Sequence, residues 1–152
     1  EIKTTRDIAH QIVRHRSFSF QEFSQRYADP ETQGDLFEYS EARLQDTKNR
    51  QNSISIDDQK LQDEWKNRQE EVALAAKYAY DWAIDQGIAK EQARKVLPEG
   101  LTKTTLYMNG TLRSWVHYIE LRSANGTQKE HMDIAKECAL VIAKIFPMAK
   151  DL

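Results

Sequence analysis

The chain has 152 residues, of which 39% are hydrophobic and 30% are charged, and its formal net charge is −2. This length suits one ordinary domain with a modest core, and the near balance of charge excludes a nucleic-acid-binding surface that covers the whole chain. No apolar run reaches membrane-spanning length, the first residues lack the apolar stretch of a signal peptide, and Cys138 as the only cysteine excludes an internal disulfide, so we expect a cytoplasmic protein.

Apolar residues recur at helical spacing almost from the first position and predict a helix over residues 5–16. Its buried face would consist of Ile8, Ala9, Ile12 and Val13. Because this pattern has no strand or linker in front of it, we expect the chain to begin inside a larger domain. Residues 17–27 predict a loop or an irregular turn, since their serines compete for backbone hydrogen bonds.

Residues 31–53 are polar and have weak periodicity. Phe37 and Tyr39 favour a short strand, whereas the later stretch RLQDTKNRQNS favours a surface loop. The strongest helical pattern follows over residues 57–86 and is bounded by Gly87, a natural helix stop. The predicted apolar stripe of this helix consists of Leu61, Trp65, Val72, Ala75, Ala76, Ala79, Trp82 and Ala83.

The next segment predicts three short elements. A helix over residues 89–97 ends before Pro98, and residues 104–108 have the β-branched and aromatic composition of a strand. An Asn-Gly pair then turns the chain, and Thr111 can cap a helix over residues 112–121.

A last helix is predicted over residues 128–146. Thr127 and Glu130 have the spacing of a capping box at its start, and Pro147 stops it. The chain has no internal repeat and no low-complexity segment. We therefore expect a single domain over residues 1–152, in the α+β class, mostly helical with a few short strands.

Residues 14–27, RHRSFSFQEFSQRY, concentrate arginine and serine and contain no lysine. Cations at a helix C-terminus offset the helix dipole, but that explains only one or two of these charges. Arginine forks with serine hydroxyls and nearby backbone N–H groups suit a phosphate or a planar uracil-like ring. The residues alone leave three functions open: a nucleotide pocket, a small helical RNA-binding module that uses this cluster with salt-dependent affinity, and a helical interaction domain without a small ligand.

Cysteine and histidine chemistry is not favoured by the rest of the sequence. A predicted apolar stripe of the last helix comprises Ile134, Cys138, Val141 and Ile145. That position favours a core thiol over a nucleophile. The histidines lack metal-ligand spacing, and neither HExxH nor CxxC occurs, so no metal site is expected.

Arg113 and Arg122 are nine residues apart, which places them on opposite sides of a helix that turns by about 100° per residue. His117 and Glu120 share the side of Arg113. If both arginines contact ligands, they contact different ligands or different sites. Such a geometry indicates an oligomer interface.

Two ordered segments resemble the flavin-dependent thymidylate synthases. Residues 14–26 keep the family signature R-H-R-x-x-S-x-N-x-x-S-x-R, except that Gln21 replaces the asparagine; Gln25 stands where glycine is common. The second segment comprises ARKVLP, MNGTLRSWVHYIELR and TQKEH, in the family's order and at similar spacing. The resemblance covers most of the chain. It lacks the family's N-terminal segment, in agreement with the abrupt helical start.

The resemblance implies an enzyme that makes dTMP from dUMP. Methylenetetrahydrofolate would give the one-carbon unit, and FAD reduced by NADPH would supply the hydride. The family is typically a homotetramer with active sites shared between subunits, which suits the opposed Arg113 and Arg122. It uses no cysteine nucleophile, so a buried Cys138 is compatible with catalysis. Neither nucleic acid nor a membrane is expected as a partner.

The resemblance also assigns site residues by position. Positions that match dUMP contacts are Gln11, Arg14, Glu22, Ser24, Gln25, Arg26, Arg94 and Arg122. Positions that match FAD contacts are Arg14, His15, Arg16, Arg113, His117 and Leu121. Arg122 and Ser24 are the candidate catalytic residues, Ser24 as a hydrogen-bonding group. Arg94 and the serine loop would hold phosphate, and Arg122 would stabilise negative charge that develops on the uracil.

Overall fold

The computed structural model describes residues 1–148, apart from the side chains of Glu31 and Gln33. The strands are β1 (Ile2–Thr5), β2 (Ser19–Glu22), β3 (Arg43–Gln45), β4 (Ser53–Ser55) and β5 (Lys103–Asn109). The α-helices are α1 (Arg6–Ile12), α2 (Gln59–Asp85), α3 (Lys90–Ala93), α4 (Leu112–Arg122) and α5 (Lys129–Ala143). Short 3₁₀ helices occupy Pro30–Gln33 and Arg94–Val96. The predicted α+β class, mostly helical with a few short strands, is confirmed.

The beginning of the chain differs from the prediction. Strand β1 precedes the first helix and pairs antiparallel with β5, with Ile2 opposite Leu106 and Thr5 opposite Lys103. The expectation that no strand stands in front of the helix was therefore wrong. Helix α1 is also shorter than predicted, since it ends at Ile12 and the chain continues in a turn. A strand of this length is completed by a partner about a hundred residues away, so local periodicity does not reveal it.

Further strands lie where loops were predicted. β2 falls within the predicted loop over residues 17–27, and the sheet has the order β1-β5-β2. β3 and β4 form a hairpin within the predicted surface loop, with Leu44 opposite Ile54. The carboxylate of Asp46 accepts hydrogen bonds from two backbone N–H groups of the connection, at 2.8 and 3.1 Å. Phe37 makes only an isolated bridge to Thr102, so the predicted strand around it does not form.

Helix α2 matches its predicted span but not its predicted face. Asp58 caps it by accepting from the backbone N–H of Leu61 at 3.1 Å, and Gly87 follows its end with a positive φ of 75°. The buried residues are Gln69, Ala73, Ala76, Tyr80 and Ala83. Most of the predicted stripe is exposed instead: the side chain of Trp82 is 54% exposed and that of Val72 is 53% exposed. Small residues allow this helix to approach its neighbours closely, and its large apolar residues face outward.

The segment that follows α2 keeps its predicted order. The predicted helix over residues 89–97 divides into α3 and the 3₁₀ helix Arg94–Val96, and the predicted strand over residues 104–108 is the central strand β5. Thr111 caps α4 by accepting from the backbone N–H of Ser114 at 3.2 Å, as predicted. Gly110, just before this cap, lies against the ring of Phe18, and any Cβ there would overlap with the ring.

Helix α5 begins without the predicted capping box. Its N-cap is Gln128, which makes no side-chain capping hydrogen bond, and the carboxylate of Glu130 pairs with Arg43 instead. The predicted stripe is only partly right, because Cys138 is half-buried while Val141 and Ile145 are exposed. The buried face consists of His131, Ala135, Ala139 and Ala143.

The chain divides into two compact units. The first unit comprises Glu1–Ala9, Gln21–Ala42 and Asp57–Tyr107, and the second comprises His10–Phe20, Arg43–Ile56 and Met108–Leu152. The first has a core of Leu36, Tyr80, Ala83, Ala93 and Leu97. The core of the second consists of Phe18, Tyr118, Ile119, Ala135 and Ala139. The single domain over residues 1–152 stays a prediction. Among the described residues, no helix is both long enough and apolar enough to cross a membrane.

Candidate functional site

The predicted site residues fall into two groups, one in each unit. The serine-loop group, in the first unit, consists of Glu22, Ser24, Gln25, Arg26 and Arg94. The arginine–histidine group, in the second unit, consists of Gln11, Arg14, His15, Arg16, Arg113, His117, Leu121 and Arg122. The hydrogen bonds and ion pairs that these residues make leave particular donors and acceptors available to a ligand.

Glu22 ends strand β2, where its carboxylate is fixed by two side chains. Oε1 accepts from Arg6 Nη1 at 3.1 Å and from Thr104 Oγ1 at 2.9 Å. Arg6 opens helix α1 and Thr104 is a buried residue of the central strand, so Glu22 is anchored to two elements at once. Because both bonds use Oε1, the second carboxylate oxygen remains able to accept from a ligand.

Residues 24–28 form a tight turn directly after β2. The carbonyl oxygen of Ser24 accepts from the backbone N–H groups of Tyr27 and Ala28, at 3.3 and 3.2 Å. Arg26 points outward, with its guanidinium 3.6 Å from a carboxylate oxygen of Glu91 and 5.4 Å from the centre of the Tyr27 ring. The turn therefore presents a hydroxyl and a guanidinium within three residues, a combination suited to an anionic oxygen.

Gln25 is the most deeply buried residue of this turn, with only 3% of its surface exposed. Its side-chain nitrogen Nε2 has no hydrogen-bond partner within residues 1–148. A buried amide N–H without an acceptor is unfavourable, so this nitrogen is a donor that a water or ligand oxygen can satisfy. Where glycine would offer only its backbone, glutamine adds a donor.

Arg94 lies at the start of a 3₁₀ helix and is half-buried. Its guanidinium has no hydrogen bond or ion pair with any other described residue. Glu91 precedes it by one helical turn and pairs with Arg26, so Arg94 lies close to the serine-loop turn. A half-buried guanidinium without an internal partner is able to pair with an external anion.

Arg122 and His15 form the closest contact of the arginine–histidine group. The Nε–H of Arg122 donates to Nε2 of His15 at 2.8 Å. His15 must therefore be neutral, with its proton on Nδ1. Burial lowers the pKa of His15 below its usual value, and the charges of Arg122 and His117 lower it further. The contact orients the guanidinium while leaving its two terminal nitrogens for a ligand.

Gln11 joins a buried network that the sequence analysis did not find. Its Oε1 lies 3.4 Å from Nδ1 of His131, and its Nε2 donates to Oε1 of Gln128 at 2.7 Å. Nε2 of His131 lies 3.1 Å from the hydroxyl of Tyr118. One sequence signal could have revealed this network. His131 begins a series at four-residue spacing that continues with Ala135, Ala139 and Ala143, and such a series lies on one helix face.

The remaining predicted flavin positions are exposed. They are Arg14, Arg16, Arg113, His117 and Leu121. The three arginines have no side-chain hydrogen bond or ion pair to any residue within 1–148. No hydrogen bond joins these side chains to one another within residues 1–148, and their assignment to flavin stays a prediction.

Cys138 belongs to neither group. Burial raises the pKa of the Cys138 thiol to about 11, so it is protonated at neutral pH. Within the described part of the chain, no three His, Cys, Asp or Glu side chains are placed to share a metal ion. A cleft of about 690 Å³ in the first unit, lined by residues 34–39 and Lys77, includes no predicted site residue.

Comparison with known proteins gives consistent matches. Residues 1–148 match the sequence model of the family described as thymidylate synthase complementing protein. The chain is 51% identical over 148 residues to the probable flavin-dependent thymidylate synthase of Paramecium bursaria Chlorella virus 1. It is 48% identical over 147 residues to the flavin-dependent thymidylate synthase of Synechocystis sp.. Both alignments cover 97% of this chain and 66% of the relative, so the chain spans about two thirds of the length of these relatives.

A solved structure has the same fold. The UMP/dUMP methylase PolB from Streptomyces cacaoi, bound with 5-Br dUMP, matches with a TM-score of 0.80 over 98% of this chain and 67% of that chain. The sequence identity is 24%, so this likeness concerns the fold alone.

Proposed function

The chain belongs to the thymidylate synthase complementing protein family, and from this membership we propose that the protein makes dTMP from dUMP. Methylenetetrahydrofolate gives the one-carbon unit, and FAD reduced by NADPH supplies the hydride. The relatives named above are flavin-dependent thymidylate synthases, which supports a flavin as the redox group. The structural observation that carries the proposal is the half-buried guanidinium of Arg122, oriented by a neutral histidine.

Arg122 acts on the uracil ring. Its terminal N–H groups donate to a carbonyl oxygen of the base and stabilise the negative charge that develops there as the ring is activated. A carboxylate partner would neutralise the guanidinium and weaken this effect. His15 orients the same guanidinium through its Nε–H without neutralising it, so the full positive charge remains directed at the substrate.

The serine-loop group holds the rest of the nucleotide. The guanidinium groups of Arg26 and Arg94, the hydroxyl of Ser24 and the buried nitrogen of Gln25 are donors suited to phosphate oxygens. Gln25 supports this assignment most directly, because its Nε2 has no acceptor within residues 1–148. Glu22, through its second carboxylate oxygen, accepts from a donor of the nucleotide.

The flavin positions fit an anionic cofactor. Arg14 and Arg16 flank His15, and Arg113 lies on the exposed side of α4, so the donor set is cationic. Exposed arginines without internal partners are suited to the diphosphate of FAD. These side chains bind and orient the cofactor, while the half-buried Arg122 serves the substrate.

A homotetramer with active sites shared between subunits completes the proposal. Helix α2 supports it with a row of large exposed apolar side chains at four-residue spacing: Leu74, Tyr78 and Trp82. A row of this kind is typical of an interface between proteins. The partners are then dUMP and further copies of the chain, in the cytoplasm, without nucleic acid or membrane.

The visible spectrum of the purified full-length protein tests this function. We expect a flavin band that changes when dUMP is added, dTMP formation when both co-substrates are present, and a native mass of four subunits. A colourless protein that fails to bind added FAD would contradict the proposal. Salt-dependent binding of polynucleotide in place of dUMP would favour the RNA-binding alternative instead.

A further inference from the structure

A hydrogen-bonded chain of three side chains, all of the second unit, connects α4, α5 and the end of α1. It runs from Tyr118 on α4, through His131 on α5, to Gln11 on α1. The side chains of Tyr118 and His131 have no exposed surface, and Gln11 is half-buried at the end of the chain. Water therefore does not compete for the first two members, and their donors and acceptors must match one another.

The direction of these bonds follows from Tyr118. Within residues 1–148, His131 is the hydrogen-bond partner of its hydroxyl, and burial keeps the hydroxyl protonated by raising its pKa. A buried O–H must donate to be satisfied, so it donates to Nε2 of His131. A neutral imidazole has one donor and one acceptor nitrogen, which puts the proton of His131 on Nδ1.

The tautomer of His131 then determines the orientation of Gln11. Nδ1–H can only donate, so it faces the amide oxygen of Gln11, at 3.4 Å. The amide nitrogen of Gln11 is thereby turned the other way, where it donates to Gln128 at 2.7 Å. Its second N–H has no acceptor among the described residues. If the amide of Gln11 were flipped, its N–H would face the Nδ1–H of His131, and two donors would oppose each other.

The charge state of His131 supports the same picture. Burial lowers the pKa of His131 to about 4, with further lowering by Arg122 and His15. The ring is therefore neutral at physiological pH and keeps one acceptor for Tyr118. Arg122 and His15 both lower the pKa of His131, so its neutral form and its hydrogen bond to Tyr118 persist around neutral pH.

We propose that His131 and Tyr118 are positioning residues, which fix the amide of Gln11 so that its nitrogen donates to an acceptor oxygen of the nucleotide. This inference rests on the proposed function, in which Gln11 contacts dUMP. In this orientation the amide oxygen of Gln11 faces His131, and the group turned away from His131 is the amide nitrogen. His131 and Tyr118, both in the second unit, thus make Gln11 the donor and the nucleotide the acceptor of this hydrogen bond.

The tautomer of His131 tests the geometry without any assay of activity. In full-length protein labelled with ¹⁵N-histidine, NMR of the ring nitrogens reports which nitrogen carries the proton, and His131 is assigned by replacing each of the other histidines in turn. We expect a proton on Nδ1 in the unmodified protein and a shift of population toward Nε2–H in Tyr118→Phe. A proton on Nε2 in the unmodified protein would overturn the proposal.

A thermodynamic cycle on dUMP binding tests the consequence. Tyr118→Phe should weaken dUMP binding by about tenfold, the loss of one oriented hydrogen bond, and Gln11→Ala should weaken it similarly. The double variant should bind like Gln11→Ala alone, because the hydroxyl acts through Gln11. Additive losses would contradict a positioning role, since a general loss of structure would add to the loss of Gln11.

Tyr107→Phe is the matched control, since it removes a hydroxyl that is exposed and bonded to Glu1. Its dUMP affinity should stay unchanged, and a tenfold loss there would overturn the assignment of the effect to Tyr118. If the unmodified protein does not bind dUMP, the proposed function fails, while the tautomer measurement still decides how Gln11 is oriented.

Discussion

The two groups of candidate residues both contain arginines, and they treat the positive charge in different ways. In the serine-loop group, carboxylates pair with some of the guanidinium groups: Glu22 binds Arg6 of α1, and Glu91 lies 3.6 Å from Arg26, whereas Arg94 has no such partner among the described residues. In the arginine–histidine group, Arg122 has a neutral imidazole as its partner. Carboxylates fix geometry at the expense of net charge, whereas a neutral histidine fixes geometry and leaves the charge intact.

The difference matches two tasks in the proposed reaction. A phosphate is a permanent dianion, which a partly neutralised set of donors still binds. The uracil ring becomes negative only during the reaction, so the guanidinium that stabilises it acts most strongly when it is not already neutralised. The predictions below try to separate these tasks.

Arg122→Ala should have the largest effect. It removes the oriented charge, and we expect dTMP formation to fall by about 10²- to 10³-fold, as for other groups that stabilise developing negative charge. Turnover is measured alongside thermal unfolding. Lys136→Ala, an exposed cation on α5, serves as the control and should keep full activity. Unchanged turnover in Arg122→Ala would refute the role of this arginine.

Glu22→Ala should destabilise the first unit. It leaves the Arg6 guanidinium, whose side chain is 16% exposed, without its carboxylate, and it leaves the buried Thr104 hydroxyl without an acceptor. We expect a loss of about 1–3 kcal/mol in the free energy of unfolding, measured in urea. Glu120→Ala, which removes an exposed carboxylate on α4, should change stability far less. Equal losses in both variants would contradict the anchoring role of Glu22.

Arg26→Ala should weaken dUMP binding by about tenfold, with little change in the fold, because it removes one phosphate donor from an exposed turn. Glu91→Ala is the matched variant, since it removes the partner of Arg26 and keeps the guanidinium. The ion pair is half-exposed and contributes little to stability. Affinity in Glu91→Ala should therefore be kept or slightly increased, and a calorimetric titration distinguishes the two. Equal affinity in Arg26→Ala and the unmodified protein would argue against a phosphate pocket.

Much of the fold could be predicted where it depends on local signals. The span of α2 and its end before Gly87 follow from periodicity and from glycine chemistry, and the cap of α4 follows from Thr111. β1 and β2 could not be predicted, because each is a four-residue strand stabilised by the distant β5. The buried face of α2 was also predicted wrongly, because hydrophobicity alone does not decide which face of a helix is buried.

In the candidate site, too, residues within local motifs could be predicted, whereas residues whose contacts depend on tertiary packing could not. Arg122 and His15 were found through sequence motifs, and their contact at 2.8 Å joins a predicted dUMP position to a predicted FAD position. Tyr118, His131 and Gln128 were not found, because their importance arises only when α1, α4 and α5 pack together. A buried histidine within an alanine series looks like core until its hydrogen-bond partners are known.

The smallest expected effect concerns pH and comes from two histidines of the second unit, His131 and His15. The pKa of His131 in the folded protein is about 4, and that of His15 is also lowered, whereas an unfolded histidine titrates near 6.5. Below pH 6.5 these two histidines take up protons in the unfolded chain but stay neutral in the folded chain. Stability is therefore fully present above pH 6.5 and is lost as the pH falls toward 4.

Chemical unfolding at pH 7.5, 6.5 and 5.5 measures this effect. Between pH 6.5 and 5.5, we expect His131 to account for a loss of about 1 kcal/mol in the free energy of unfolding. His131→Asn should flatten this slope, because asparagine takes up no proton, whereas His117→Asn, at an exposed position, should retain it. A slope that survives in His131→Asn would show that the buried imidazole is not what makes the second unit sensitive to acid, and the contrast between the two groups would then rest on Arg122 and His15 alone.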